Sequence, residues 1–392
     1  MLTTLAISNY RSLRNLIVPL QRLNLITGPN GSGKSSVYRA LRLLAKTAQG
    51  GVIPSLAREG GLKSTLWAGP EKLGRSVKRG EHPIEGTVRR ERVNLRLGFA
   101  GDEFGYAIDL GLPPPTKPPA PPSAFSLDPE IKTECIWAGP ILRPASLLVE
   151  RKKWVVRTRR SDDGWEVLSH DLPSFDSMMS QFADPRNAPE MFVLREQIRS
   201  WRFYDHFRTD ADAPARLPQI GTHTPILSDD GADMAAALQT IREIGDAVAL
   251  DKAVDDAFPR SRIDVLSLEG RFEISMHQHG LLRPLKAAEL SDGTLRYLLW
   301  IAALLTPRPP SLLVLNEPET SLHPDLLPAL GRLIANAAER SQVLVVTHAP
   351  KLIAALEKQV QCNCVRLEKE FGETRIVGMG EYDGPPWRWA SR

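Results

Sequence analysis

The stretch "GPNGSGKS", Gly28 to Ser35, fits the pattern G-x-x-x-x-G-K-[ST] at every position, and it stands between a short apolar run, "LNLIT", and a segment of helical apolar spacing. That setting is what the pattern needs to act. Gly31 and Gly33 let backbone N–H groups turn toward an anion, Lys34 adds a positive charge, and Ser35 brings a hydroxyl suited to a magnesium ion. Pro29, Asn30, Ser32 and Ser36 complete the loop. Beyond it Val37, Leu41, Leu44 and Ala48 recur on one helical face until Gly50 and Gly51 stop the pattern. Strand, phosphate-binding loop and helix in this order predict an α/β fold built on a parallel sheet.

The last third of the chain repeats that alternation: a helix from Ser291, a strand over 311–316, a helix over 324–338, the strand "QVLVVTH" and a helix over 350–358. Between the two ends, residues 85–170 alternate with period two in "TVRRERVNLRLGF", "FGYAIDLGL" and "KKWVVRTRR", which predicts a β-rich subdomain. The segment "LPPPTKPPAPPS" (112–123) lacks the backbone donors of a helix or central strand and reads as an exposed polyproline loop, a spacer or a docking ligand. Residues 172–260 read as mostly helical, most clearly in "APEMFVLREQIRSW" and "GADMAAALQTIREIGDAVALDKAVDDAF", before strands return at "RIDVLSLEG" and "RFEISMHQ". The division this predicts is an N-terminal lobe with the loop and β-subdomain over 1–110, the Pro-rich loop and strands over 111–170, a helical insertion over 171–260, and a C-terminal lobe over 261–392.

Polar groups gather where the strand "SLLVLNEPE" ends, and the carboxyl ends of strands are where open α/β sheets place ligands. A strand of this kind beside a phosphate loop delivers one group to the magnesium shell and a neighbour to the attacking water. Asn316 stands at the first position and Glu317 at the second; the alternative register puts Glu317 on the metal and Glu319 on the water. An amide at 316 lacks a formal charge, so a raised magnesium requirement is expected, which an aspartate there would relieve. The preceding "ELSDGTLRYLLW" opens a helix behind Ser291 and Gly293, an anion-binding arrangement. Thr347 and His348 end the next strand, within reach of a terminal phosphate.

A chain of 392 residues with a net charge of +4 permits nucleic-acid contact without arguing for it. Three cysteines, Cys135, Cys362 and Cys364, form no disulfide framework and no zinc spacing, which fits a reducing cytoplasm. No apolar run nears the ~20 residues that span a bilayer, so no membrane role is expected.

The order of "GPNGSGKS", "LSDGT", "LLVLNEPETSLHP" and "VVTH", with "ISNYRSL" at the start and "TPILSDDGADMAAAL" in the middle, resembles ABC-type ATPase heads of the RecF, Rad50 and SMC group. Among these it is most similar to stand-alone ATPases of the AAA_21/AAA_15 kind, related to the ATPase domain of OLD-family proteins. The resemblance implies an α/β P-loop NTPase with an ABC-ATPase head, a β-rich subdomain and a helical insertion. It implies ATP and Mg2+ as cofactors, with Gly28, Asn30, Gly31, Gly33, Lys34 and Ser35 on the nucleotide and Ser35 also on the metal. Ser291 and Gly293 match the signature turn that reaches a partner's γ-phosphate, Glu317 the water-activating glutamate, "TSLHP" the D-loop, and His348 the switch histidine. Arg11 corresponds to a basic residue that approaches the nucleotide in some relatives. "LSDGT" in place of "LSGGQ" argues against a transport subunit, and no glutamine marks a Q-loop.

The function implied is a slow ATPase switch that forms a homodimer on ATP and signals to DNA or to a partner effector protein, in DNA repair or phage defence. The alternative is a nucleotide-binding scaffold that gates a nuclease or toxin with little turnover. DNA would meet the basic runs "RRER" (89–92) or "ERKKWVVRTRR" (150–160), where Trp154 can stack on a base; the bland reading of both is a solvated sheet edge. A built-in nuclease is not expected, since the tail "EYDGPPWRWASR" has too few acidic groups for two metals.

Overall fold

Period-two alternation over the first twenty residues becomes two antiparallel strands, β1 (Leu2–Tyr10) and β2 (Leu13–Pro19), in register at Leu5↔Val18. The protein is described from a computed structural model that covers residues 1–70, 93–114, 121, 123–160, 162, 164–182, 184–359, 362–380 and 383–391. The run "RRER" at 89–92 and residues 115–120 and 122 of the Pro-rich segment lie outside the described residues. The chain falls into two units, one of residues 1–20, 28–199 and 365–392, the other of residues 21–27 and 200–364.

In the first unit, eight strands among the described residues form an antiparallel sheet in the order β2–β1–β4–β5–β6–β7–β8–β9. The added members are β4 (Leu95–Gly101), β5 (Phe104–Gly111), β6 (Glu130–Ala138), β7 (Leu147–Lys152), β8 (Val155–Arg159) and β9 (Trp165–Ser169). Strand pleat sends alternate residues to opposite faces. Leu97 and Phe99 are buried on one face of β4; on the other, Gly98 leaves room for Trp387, whose ring a Cβ at Gly98 would meet at 2.7 Å. Trp387 packs edge-on against Trp137 and Trp389, with centroids 5.6 and 5.2 Å apart. The C-terminal tail therefore closes an apolar cluster with Ala100, Ala107 and Cys135. The helix α1 (Lys34–Thr47) packs on β1 and β4 through its buried Val37, Leu41 and Leu44.

In the second unit, β10 (Arg202–Tyr204), β15 (Leu312–Asn316), β16 (Gln342–Val346) and β3 (Leu23–Thr27) lie side by side, all parallel. Tyr204, Leu315, Val345 and Leu25 stand level across the sheet. Near-continuous burial of β15, β16 and β3 is what a sheet covered on both faces requires. The helix Asp292–Leu304 is buried at every position from Leu295 on, so it is a central helix, apolar nearly all round. Its Leu298, Leu299 and Trp300 share one core with Leu315, Val345 and Leu25. A hairpin of β12 (Arg262–Leu268) and β13 (Arg271–His277), flanked by β11 (Gln219–Ile220) and β14 (Leu285–Lys286), forms a second, antiparallel sheet.

The middle of the chain is less helical than its periodicity predicts. Helices do form at Pro189–Ser200, Met234–Ile244 and Ala247–Ala257, but Arg202–Tyr204 becomes an edge strand and the stretch to 233 is mostly irregular. Three residues cannot display a period, and the Asp, Pro, Thr and Gly that follow favour turns.

Candidate functional site

The chain leaves β3 at Thr27 and turns at once into the glycine loop of the first unit. Gly28, Gly31 and Gly33 have φ of +146°, +78° and +106°, conformations that an L side chain resists. At Gly28 an added Cβ would lie 2.2 Å from the Leu367 carbonyl oxygen; at Gly33 it would lie 2.3 Å from Thr374 Oγ1. The loop is braced from outside by that threonine, whose Oγ1 donates to the Ser32 carbonyl at 2.8 Å and makes a 2.8 Å hydrogen bond with Ser12 Oγ. Lys34 is buried, and its Nζ donates to the carbonyls of Gly28 at 2.7 Å and Pro29 at 3.0 Å, curling the side chain over its own loop. Pro29, Asn30, Gly31 and Ser35 are exposed, Ser36 is half-buried, and α1 starts behind Gly33 with no side-chain cap and no acidic residue in its first turn. The Ser36 N–H already donates to the Gly33 carbonyl at 3.0 Å, and the partial positive charge at this helix end is what an anion needs.

Arg11 is engaged elsewhere in this unit. Its guanidinium pairs with Glu59 at 2.7 Å, and Tyr10 donates to the same carboxylate oxygen at 2.7 Å. Burial and the Glu59 carboxylate hold the Tyr10 hydroxyl well above the ordinary tyrosine range.

Among the residues of "ERKKWVVRTRR" only the charge of Arg151 is buried inside the sheet; Arg157 and Arg159 are half-buried, and Lys152, Lys153 and Arg160 are exposed. Arg151 is 0% exposed and pairs with an equally buried Glu134 at 2.9 Å, while Arg157 pairs with Glu150 and stacks 4.5 Å over Trp165. Trp154 is exposed at the β7–β8 turn, with Lys153 Nζ 5.5 Å over its ring.

In the second unit the parallel register brings the chemistry of three strand ends, those of β10, β15 and β16, to one edge. Asn316 ends β15, and its Nδ2 donates to Asp205 Oδ1 at 2.6 Å, one residue beyond β10. Glu317 follows with φ +50°, held there by its N–H donating to the Val346 carbonyl at 2.8 Å. A non-glycine residue kept in that region is a strained position of the sort functional sites retain. Glu319 is buried; Thr347 Oγ1 donates to its Oε1 at 2.6 Å and the His348 N–H at 3.1 Å. His348 is exposed, with Nδ1 3.4 Å from Glu319 Oε1 and 3.8 Å from Glu317 Oε1. Asn316 Oδ1 and Glu319 Oε2 are both buried without a hydrogen-bond partner among the described residues. Oxygen acceptors without donors suit a hydrated divalent cation.

Ser291 caps the central helix, its Oγ accepting from the Thr294 N–H at 3.2 Å. Gly293 faces the Ser321 carbonyl oxygen, which a Cβ would meet at 3.3 Å. Two arginines invisible to sequence reasoning fix this region. Arg216 donates to the carbonyls of Thr209 at 2.9 Å and Leu290 at 2.7 Å, and to Asp292 at 2.6 Å. Arg296 reaches the carbonyls of Thr320 and Phe207, each at 2.9 Å. Asp205 was equally hidden; the one signal for it is a carboxylate directly after the aromatic pair of a very short strand.

The sequence model of the AAA_21 family, described as "AAA domain, putative AbiEii toxin, Type IV TA system", matches residues 23–354. An SMC head bound to the C-terminal winged-helix domain of ScpA is similar in structure, with TM-score 0.50 and 12% identity over 96% of this chain and 97% of that one. The SMC head domain from Thermotoga maritima gives 0.46 and 15% over 97% and 99%. An Smc head with an extended coiled coil, bound to the C-terminal domain of ScpA from Pyrococcus furiosus, gives 0.48 and 11% over 96% and 95%. At such identities the first likeness speaks for the fold alone. No curated protein matches the chain in sequence. Among the described residues no helix is long and apolar enough to cross a membrane.

Proposed function

The chain belongs to the AAA_21 family of P-loop ATPase domains, and on that premise we propose that it is an ATP-hydrolysing switch: ATP draws two copies together head to head, hydrolysis lets them part, and the motion passes to DNA or to a partner protein. The observation that carries this reading is the row of strand ends in the second unit, where Glu317 follows Asn316 on β15 and His348 follows β16, next to the strand that runs into the glycine loop. Bound ATP supplies the phosphoanhydride, and its magnesium neutralises charge on the phosphates.

The chain's own groups do the rest. The N–H groups of the Gly28–Ser36 loop and the Lys34 ammonium hold phosphate oxygens. The Ser35 hydroxyl and the Asn316 amide oxygen serve the metal and its water shell. Glu317 accepts a hydrogen bond from the attacking water and orients it, and His348 faces the terminal phosphate. Ser291 and Gly293 reach the nucleotide of the second copy. Where no neighbouring group supplies the formal charge that Asn316 lacks, turnover is slow. That same amide favours a second reading, a nucleotide-binding scaffold that gates an effector such as a nuclease or toxin. Either role suits DNA repair or phage defence.

Turnover and oligomeric state of the wild type, Lys34→Ala and Glu317→Gln test the reading together. Lys34→Ala loses nucleotide binding; Glu317→Gln binds ATP, turns over on the order of 10²–10⁴ times more slowly, and accumulates as dimers. Turnover untouched by Glu317→Gln removes the catalytic role. A wild type that binds ATP without hydrolysing it selects the scaffold. Absence of DNA binding at ~0.1 M salt, with and without ATP, leaves the protein partner as the receiver of the signal.

A further inference from the structure

Asn316 and Asp205 hold a specific, oriented pair. Parallel pairing sets Tyr204 beside Leu315, so the next residues, Asp205 and Asn316, leave the sheet side by side. The contact is Nδ2 to Oδ1 at 2.6 Å. A carboxylate only accepts, so the amide must turn its NH2 toward Asp205 and its oxygen away. That oxygen, Asn316 Oδ1, is buried and takes no donor among the described residues. The Asp205 side chain is exposed, and among the described residues no Lys, Arg or His pairs with it. Nearby Glu319 contrasts with it: buried, and served by Thr347 and His348, yet with Oε2 left bare.

From this juxtaposition we propose that Asp205 supplies, from the adjacent strand, the negative charge that Asn316 does not bring to the magnesium of bound ATP. Asn316 is then a positioning residue: its NH2 fixes the Asp205 carboxylate, and its oxygen adds a neutral acceptor to the same shell. A carboxylate that pairs with no cation among the described residues, held against Asn316 with its unsatisfied buried oxygen, is an arrangement that a hydrated divalent ion completes. The inference rests on the ATPase reading and deepens it, moving the metal's charged partner from β15 to the end of β10.

The test compares wild type, Asp205→Asn, and the exchange variant Asp205→Asn with Asn316→Asp, which swaps the two groups and keeps the total charge. Two quantities are read: Mn2+ affinity in the presence of a non-hydrolysable ATP analogue, followed by the electron spin resonance of free Mn2+, and the Mg2+ concentration at half-maximal turnover. Asp205→Asn is expected to weaken Mn2+ binding about 10- to 100-fold, with a matching rise in Mg2+ requirement, as for other groups that support a metal. The exchange variant recovers most of the loss; a merely structural asparagine contact would show no such recovery. Unchanged Mn2+ affinity in Asp205→Asn, with the analogue still bound, overturns this inference alone. Failure of the wild type to bind the analogue at all brings down the ATPase reading and this inference with it.

Discussion

Arg296 Nη1 donates to the Thr320 carbonyl at 2.9 Å while its Nη2 reaches the Phe207 carbonyl at 2.9 Å and Thr209 Oγ1 at 3.2 Å. One side chain from the central helix thus ties the turn after β15 to the segment after β10. Burial pushes its guanidinium below the ordinary arginine range, a cost offset by carbonyl and hydroxyl acceptors that would otherwise be left bare. Lysine has no planar fork and cannot meet these acceptors from one stem. Arg296→Lys is therefore expected to cost on the order of 1–3 kcal/mol, seen as a lower melting midpoint. An unchanged midpoint would mean that water satisfies those carbonyls equally well.

The two glutamates of "NEPE" are separated by their surroundings. The Glu317 side chain is 39% exposed and its φ is strained, and among the described residues no hydrogen-bond donor fixes its carboxylate; Glu319 is buried and accepts from Thr347 Oγ1 and the His348 N–H. Glu317→Gln should remove turnover and leave the melting midpoint near that of wild type. Glu319→Gln should do the reverse in part: its carbonyl oxygen can keep both donors, but its NH2 then stands where Oε2 is buried without a partner among the described residues, a stability loss of about 1–3 kcal/mol. Equal loss of turnover without loss of stability in Glu319→Gln would favour the register in which Glu319 handles the water.

Much of this arrangement was legible in the chain, for local reasons. The glycine loop, the helix behind it and the three buried strands carry their signals within a few consecutive residues, through backbone freedom at Gly31 and Gly33 and apolar runs such as "LLVL". What escaped depends on partners distant in sequence. Asp205 gains its meaning from Asn316, which lies 111 residues away, and Thr374 braces Ser32 across 342. The tryptophans of the tail carry no local signal, because the space for Trp387 is supplied by Gly98, far away in sequence. Arg151 sits in a basic run that invites nucleic acid, yet its charge is neutralised by Glu134 on the neighbouring strand.

That pair yields a prediction for the first unit. Glu134 accepts from Arg151 at 2.9 Å, Tyr106 Oη at 2.7 Å, Ser177 Oγ at 2.5 Å and the Met178 N–H at 2.9 Å, all without solvent exposure of the carboxylate or guanidinium. Arg151→Met strands a buried negative charge and should cost about 3–5 kcal/mol. Adding Glu134→Gln removes the charge but keeps an acceptor for the hydroxyls, so the double variant should melt above the single one. A double variant that melts lower would show that the neutral donors alone can hold the carboxylate.

The asparagine of β15 reads differently once Asp205 stands beside it. Taken alone, Asn316→Asp would restore a charged metal partner and lower the magnesium requirement. With Asp205 Oδ1 at 2.6 Å from the amide nitrogen, the same substitution sets two carboxylates in contact. They cannot both ionise freely, so the folded protein holds a proton that the unfolded chain gives up at ordinary carboxylate pH. The folded state then binds more protons than the unfolded one, and stability falls as pH rises above that range. Asn316→Asp is thus expected to melt below wild type at pH 8 without metal, to approach it near pH 5, and to gain more from added Mg2+ than wild type does. Melting curves at the two pH values, with and without Mg2+ and ATP analogue, check all three; a variant as stable as wild type at pH 8 without metal would mean that the two carboxylates move apart.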